Sequence, residues 1–348
     1  MDTLTHALGG VLLGRAIRCP DGRVPQRAWI VAFAVSAAFP DVDYVFFLVD
    51  AMDFLNLHRG PTHSMVLLPL WAALIALPLS RILDMPWRIC VSACALGLLA
   101  HIVGDWITLY GVRLFYPLSD HAYALGISFD FNLWIAVVTA AGVLACAKWR
   151  PRQVAYACLA VIAVLLAGQA YLKHQATEVA AKHARAWGLD DSAIRVLPQP
   201  LSPFHWSLVI PDGGGYRLAY LDLLDENTFD VALGIPWLER MMAAYRPRNH
   251  LAWTAYAGPE QETLAQKTLA QEAWAHPRIA AFRRFAQLPA LLGIEQSPDA
   301  TCVWFTDLRH ALPALPPTFR YGLCRSNTEP TWRPYRLRYY SADQRQAL

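Results

Sequence analysis

Residues 28-AWIVAFAVSAAFPDVDYVFFLV-49 are long and apolar enough to cross a bilayer, yet they enclose Pro40, Asp41 and Asp43. A helix needs roughly 20 residues to span a hydrocarbon core of about 30 Å. A carboxylate at mid-membrane costs roughly 2.5–3.5 kcal/mol on insertion scales, so two of them require a compensating role. Pro40 lacks a backbone donor and disfavours a helical Phe39, so the span is expected to break there. On an unbroken helix Asp41 and Asp43 would point in nearly opposite directions. On turned or extended backbone both can reach one side. Such backbone at membrane depth either lines a cavity or is buried in protein.

The flanking sequence places this stretch in a membrane domain. The chain has 348 residues, 55% hydrophobic and 16% charged, more apolar than an average soluble protein. The excess is concentrated in 65-MVLLPLWAALIALPL-79, 89-ICVSACALGLLAHIVGDW-106, 132-NLWIAVVTAAGVLACAKW-149 and 154-VAYACLAVIAVLLAGQAYL-172. Ahead of them, 4-LTHALGGVLLGRA-16 is short and carries Gly10 and Gly14 at the spacing that lets helices approach closely. Asp2 stands where a signal peptide would be basic, and no lipidation motif is expected. The fold expected is an α-helical membrane bundle of about five to six helices over residues 1–172, a helical extension and linker over 173–200, and a smaller soluble α+β domain over 201–348.

The net charge of +3 says little, but the distribution of Lys and Arg sets an orientation. If every apolar block crosses, one set of loops holds Arg15, Arg18, Arg23, Arg27, Arg81, Arg88, Lys148, Arg150 and Arg152, and the other holds Arg59 and Arg113. Cytoplasmic loops carry the basic excess, so the N-terminus and residues 173–348 are expected outside the cytoplasm. Of seven cysteines, Cys90, Cys94, Cys146 and Cys158 read as small buried hydrophobes. Cys302 and Cys324 fall in the exported half, where an oxidising compartment would permit a disulfide.

In that half, 206-WSLVI-210 and 216-YRLAYLD-222 flank Asp212-Gly213-Gly214-Gly215 and read as a hairpin. Residues 259–275 read as an exposed helix with a proline start, and 301-TCVWFTDL-308 and 318-TFRYGLC-324 as strands.

Four clusters in the membrane half carry candidate chemistry: His6; Asp41 and Asp43; His58 and His63 in 58-HRGPTHS-64; and His101 and Asp105 in 101-HIVGDWIT-108. His101 and Asp105 share a helix face, with Thr108 a turn further on. Singly, His6 reads as a helix-start residue, Asp41 as an N-cap and His58 or His63 as loop residues. Jointly they converge on the outer face, which favours a metal site. Imidazoles mixed with carboxylates suit zinc best, with manganese or iron as alternatives, and one or two ions. Arg59 offers a planar fork to an anionic group, and Thr62 and Ser64 offer hydrogen bonds that orient ligands. Asp120, His121 and Asp130 read as solvated loop residues at the edge of the site.

The motifs 1-MDTLTHALGG-10, 40-PDVD-43, 58-HRGPTHS-64 and 101-HIVGDWITLYG-111 resemble those of the YdjM-like family, bacterial inner-membrane proteins described as membrane-bound metal-dependent hydrolases. The resemblance covers residues 1 to about 140 well, and 203-PFHW-206 and 304-WFTDLR-309 match longer members less specifically. It implies metal binding by His6, Asp41, Asp43, His63, His101 and Asp105. A remoter similarity of that family to zinc-dependent phospholipases C and nucleases favours phosphoester substrates. The reading is a hydrolase of a membrane lipid or lipid-linked phosphoester at the outer face of the inner membrane. Asp43, His58 and Arg59 are its catalytic candidates, and no nucleic-acid partner is expected. The competing class is a non-catalytic metal-binding membrane protein or ion transporter, in which the ionisable groups would line a path through the bilayer.

Overall fold

The computed structural model describes residues 1–224, 234–260, 267–329, 331–338, 341 and 343–348. It divides into two compact units, Met1–Val49 with Leu57–Tyr171, and Asp50–Asn56 with Leu172–Leu348.

The first unit is helical. Its long helices are Thr3–Ala16, Gln26–Ala38, Leu68–Ile82, Trp87–Trp106, Leu133–Ala145 and the start of Pro151–Ala186. Among the described residues three helices are long and apolar enough to cross a membrane: Gln26–Leu48, Trp87–Trp106 and Pro151–Ala186. A fourth candidate pairs Phe54–His63 with Leu68–Ile82 across a 78° bend. The surface of this unit is apolar, with Leu70, Leu74, Leu77, Val137, Leu144 and Val164 exposed. That pattern fits a protein whose solvent there is lipid.

Small residues bring the helices together. A Cβ on Gly10 would lie 2.8 Å from the Phe33 carbonyl, one on Gly14 2.9 Å from Ile30 Cα, and one on Gly97 2.1 Å from Ser36 Oγ. The first helix and the Trp87–Trp106 helix therefore both close onto the segment 30–37. Below that contact Trp29, Phe33, Ala72, Ala76, Cys90, Cys94 and Leu98 fill the core. Cys90, Cys94 and Cys146 are buried and unbonded, and Cys158 is half-buried. Asp2 caps the first helix through Thr5 N (2.9 Å), and Asn132 caps Leu133–Ala145 through Trp134 N and Ile135 N.

The second unit is α+β with two antiparallel sheets. The first contains β1 (Arg195–Pro198), β2 (His205–Asp212), β3 (Gly215–Asp222) and β4 (Thr254–Tyr256), in that order. β2 and β3 form the expected hairpin, with Asp212 opposite Gly215. Gly213 and Gly214 both adopt positive φ (+56° and +83°), as a two-residue turn matching strand twist demands. β1 lies inside the stretch 173–200 that was expected to be helical extension and linker. It is an edge strand, where Pro198 costs no ladder donor.

The second sheet runs β5 (Pro289–Gln296), β6 (Ala300–Asp307), β7 (Arg320–Ser326), β8 (Arg333–Leu337) and β9 (Arg345–Ala347). Cys302 and Cys324 face one another across β6 and β7 and are disulfide-bonded. Ala176, Ala180 and Ala184 pack on Trp206, Leu208, Ile210 and Leu221 of the first sheet. Of the helix expected over 259–275, Lys267–Ala275 is helical, and 261–266 lie outside the described residues.

Candidate metal centre

The break at Pro40 takes the form of a tight 3-10 segment, Phe39–Tyr44, in which Pro40, Asp41 and Asp43 are buried. About 120° separates successive residues of such a helix, so Asp41 and Asp43 leave it in different directions. Asp41 turns toward the first helix and His101: its Oδ2 accepts from Thr3 Oγ1 at 2.7 Å, and its Oδ1 lies 3.7 Å from His101 Nε2. Asp43 turns toward the 58–64 segment. Its Oδ1 is 2.8 Å from His58 Nδ1, and its Oδ2 accepts from Arg59 N and Thr62 Oγ1, both at 3.0 Å.

Four side chains converge: Asp41, His63, His101 and Asp105 each offer one ligand atom, all within 4.8 Å of one another and all buried. His63 Nε2 is 3.0 Å from His101 Nε2, and Asp105 Oδ2 is 3.2 Å and 3.5 Å from the two. These separations bracket the edge of roughly 3.3–3.4 Å that four donors at about 2.0–2.1 Å from a tetrahedral ion would show.

Hydrogen bonding fixes what these atoms present. His101 Nδ1 is 2.6 Å from the Ala37 carbonyl, which can only accept, so Nδ1 carries the proton and Nε2 a lone pair. Thr62 spends its one hydroxyl proton on Asp43, so it accepts from His63 Nδ1 at 2.9 Å. His63 Nε2 is therefore also a lone pair. Among the described residues neither Asp41 Oδ1 nor Asp105 Oδ2 has a hydrogen-bond partner, although Arg59 Nε lies 2.9 Å from Asp105 Oδ2 as an ion pair. Two ring lone pairs and two carboxylate oxygens thus face one another in a buried space. Only a cation or an added proton can reconcile them, and the donor set fits a divalent ion.

The other expected residues stand one bond further out. His6 Nε2 lies 3.0 Å from Asp105 Oδ1, and its ring stacks on His101 at 3.7 Å. The Met1 amine also pairs with Asp105 Oδ1. His58 is buried beside Asp43, with the Tyr44 and Tyr110 rings at 4.6 Å and 5.1 Å. Arg59 is buried with a left-handed backbone (φ +54°). Its Nη1 donates to Thr108 Oγ1 at 2.8 Å and to Asp130 Oδ1 at 3.3 Å, and its guanidinium lies over the Tyr110 ring.

Ser64 turns away to the Tyr116 carbonyl, and Asp120 and His121 are exposed. Thr3, Tyr44, Tyr110 and the Ala37 carbonyl were not singled out by sequence. Thr3, one helical turn before His6, and Tyr110 both lie within quoted motifs.

The fold and the cluster define a membrane protein with a buried site able to hold a metal ion. The chain belongs to the YdjM inner membrane protein family, whose profile matches residues 1–176. It is also similar to the uncharacterized protein YfhP of Bacillus subtilis (strain 168), 31% identical over 144 residues. That match spans 39% of this chain and 43% of YfhP, less than half of the relative's length. No solved structure matches.

Proposed function

We propose that the protein is a multi-pass, metal-dependent hydrolase acting on a phosphoester of a lipid or lipid-linked molecule at the outer face of the inner membrane. The observation that carries this is the meeting of four buried acceptor atoms, on Asp41, His63, His101 and Asp105, with the tautomers of both imidazoles fixed for ligation. A divalent ion there, zinc by preference, would acidify a water and polarise a phosphoryl oxygen.

The chain's own residues divide the remaining work. His6 holds Asp105, and Asp43 with Thr62 holds His63, as outer partners orient metal ligands. Asp43 accepts from His58 Nδ1, which makes Nε2 the basic nitrogen of that ring and suits His58 to proton transfer. Arg59 supplies a buried positive charge to an anionic group in the same space.

Two features support the orientation. Arg18, Arg23, Arg27, Arg81 and Arg88 are exposed, whereas Arg59 is buried and Arg113 half-buried, so the loops on the site's side present little free positive charge. The Cys302–Cys324 disulfide suits an oxidising, extracytoplasmic compartment.

The test is metal analysis of detergent-purified wild type beside His101→Ala and Asp105→Ala, coupled to a phosphodiesterase and phosphomonoesterase screen. Bound metal and turnover in wild type, both lost in the variants, are expected. Near-zero metal in all three proteins would remove the site. Metal without turnover on any phosphoester would leave a metal-binding scaffold.

A further inference from the structure

Among the described residues Asp130 is the most exposed member of the charged cluster. Its side chain is 27% exposed, whereas that of Arg59 is 3% exposed and Asp41, Asp43, Asp105 and Thr108 are all buried. The chain sets it there: the amides of Leu125, Gly126 and Ile127 donate to the carbonyls of Trp106, Thr108 and Ile107 at 2.8, 3.1 and 2.9 Å. Asn132 then caps the following helix. Residue 130 is therefore suspended between two anchored points, over the guanidinium.

Charge determines what this contact can be. With the histidines neutral, Asp41, Asp43, Asp105 and Asp130 outnumber Arg59 and the Met1 amine by two charges, which one divalent ion balances. An incoming anion then makes the cluster negative unless a carboxylate withdraws. Three of the four are enclosed, and the Asp130–Arg59 contact, at 3.3 Å, is longer than those the guanidinium makes with Asp105 and Thr108, at 2.9 and 2.8 Å.

We propose that Asp130 is a displaceable stand-in for substrate: a phosphate-class oxyanion takes its place on Arg59, beside the metal ligands. This rests on the metal-centre reading above. Asp130 is a positioning residue, holding Arg59 in place between substrates and setting a threshold that a weaker anion does not cross. Exposed Phe131, Tyr44 and Val45 give the chain around this edge an apolar character, which suits a phosphate carried on a lipid.

The experiment uses the full chain in detergent, loaded with zinc and freed of excess, with radiolabelled inorganic phosphate in equilibrium dialysis and metal content measured in every sample. Asp130→Asn is expected to bind phosphate roughly five- to tenfold more tightly than wild type. Asp130→Glu is expected to restore wild-type affinity, and Arg59→Lys to weaken binding in either background. Equal or weaker binding by Asp130→Asn at unchanged metal content overturns the proposal, as does the absence of phosphate binding in every metal-loaded variant. Wild type that retains no zinc instead overturns the metal-centre reading itself.

Displacement of the label by short-chain phosphatidic acid, but not by matched phosphatidylcholine, assigns the anion to a lipid headgroup. Failure of both to displace it assigns the site to a free phosphate, and either result supports the proposal. Equal displacement by acetate overturns the phosphate class.

Discussion

His6 Nε2 lies 3.0 Å from Asp105 Oδ1, the carboxylate oxygen turned away from His63 and His101. On the proposed reading His6 would orient Asp105 instead of adding a fifth donor to the four residues that could hold a metal. Removing such an outer partner typically weakens metal binding 10–100-fold without abolishing it. His6→Asn is expected to retain one equivalent of metal, with affinity lowered roughly 10–100-fold, while His101→Ala retains none. Chelator competition followed by elemental analysis separates the two. Complete loss of metal in His6→Asn would return His6 to the ligand set.

The close approach of helices at Gly97 positions His101. A Cβ there would meet Ser36 Oγ at 2.1 Å and the Phe33 carbonyl at 2.7 Å, both on the helix whose Ala37 carbonyl holds His101 Nδ1. Gly97→Ala is expected to cost about 1–3 kcal/mol by overpacking and to weaken metal binding through the displaced carbonyl. Gly168→Ala, with nothing within 4 Å of its Cβ, is the control, neutral or slightly stabilising because alanine favours the helix. Thermal midpoints in one detergent compare them.

How far the sequence carries depends on the kind of contact. The apolar blocks, the break at Pro40 and the Asp212–Gly215 hairpin are local features, legible because period and turn chemistry are local. The four clusters were legible as misplaced polar groups. Their division into a group of four and an outer set was not, because it depends on the pitch of the Phe39–Tyr44 turn, which sends Asp41 and Asp43 to different neighbours. Asp130 read as a loop residue because its approach to Arg59 follows from three loop amides bonding back to Trp106, the last residue of the His101 helix, and to the two residues after it. The Ala37 carbonyl carries no side-chain signal at all, yet it fixes a ligand's tautomer.

The second unit has its own pH signature. His205 is buried on β2 and stacked on Tyr245 at 3.9 Å, and burial pulls its pKa from 6.5 down to about 4. The folded ring stays neutral while an unfolded chain takes up a proton below 6.5, so stability is complete above pH 6.5 and falls as the pH drops toward 4. The full shift corresponds to at most roughly 3 kcal/mol. Melting of the whole protein at pH 7 and pH 5 is expected to show the loss, and His205→Phe to flatten it. An unchanged pH slope in that variant would place the titration elsewhere.

The Cys302–Cys324 bond gives a topological prediction. If the second unit lies outside the cytoplasm, alkylation of intact cells before reduction leaves these two thiols unlabelled. Replacing both with serine opens a loop whose ends are 22 residues apart, costing about 3 kcal/mol on the chain-entropy account. Mass mapping of the labelled peptides decides the location. Both thiols free in growing cells would place the unit in the cytoplasm and reverse the orientation.

The Asp43–His58 pair separates an enzyme from a metal store. His58 Nδ1 and Asp43 Oδ1 are 2.8 Å apart, while His58 contributes no atom to the four-donor group. A metal store has no use for that ring beyond packing against Tyr44 and Tyr110. A proton carrier loses roughly 10²–10⁴ in rate when the ring is replaced. His58→Gln is therefore expected to bind metal as wild type does and to lose turnover by that factor. The measurement is kcat on whichever phosphoester the screen identifies, with metal content determined on the same sample. Full activity in a metal-replete His58→Gln protein would leave Asp43 as an orienting group for His63 alone and shift proton transfer to another residue.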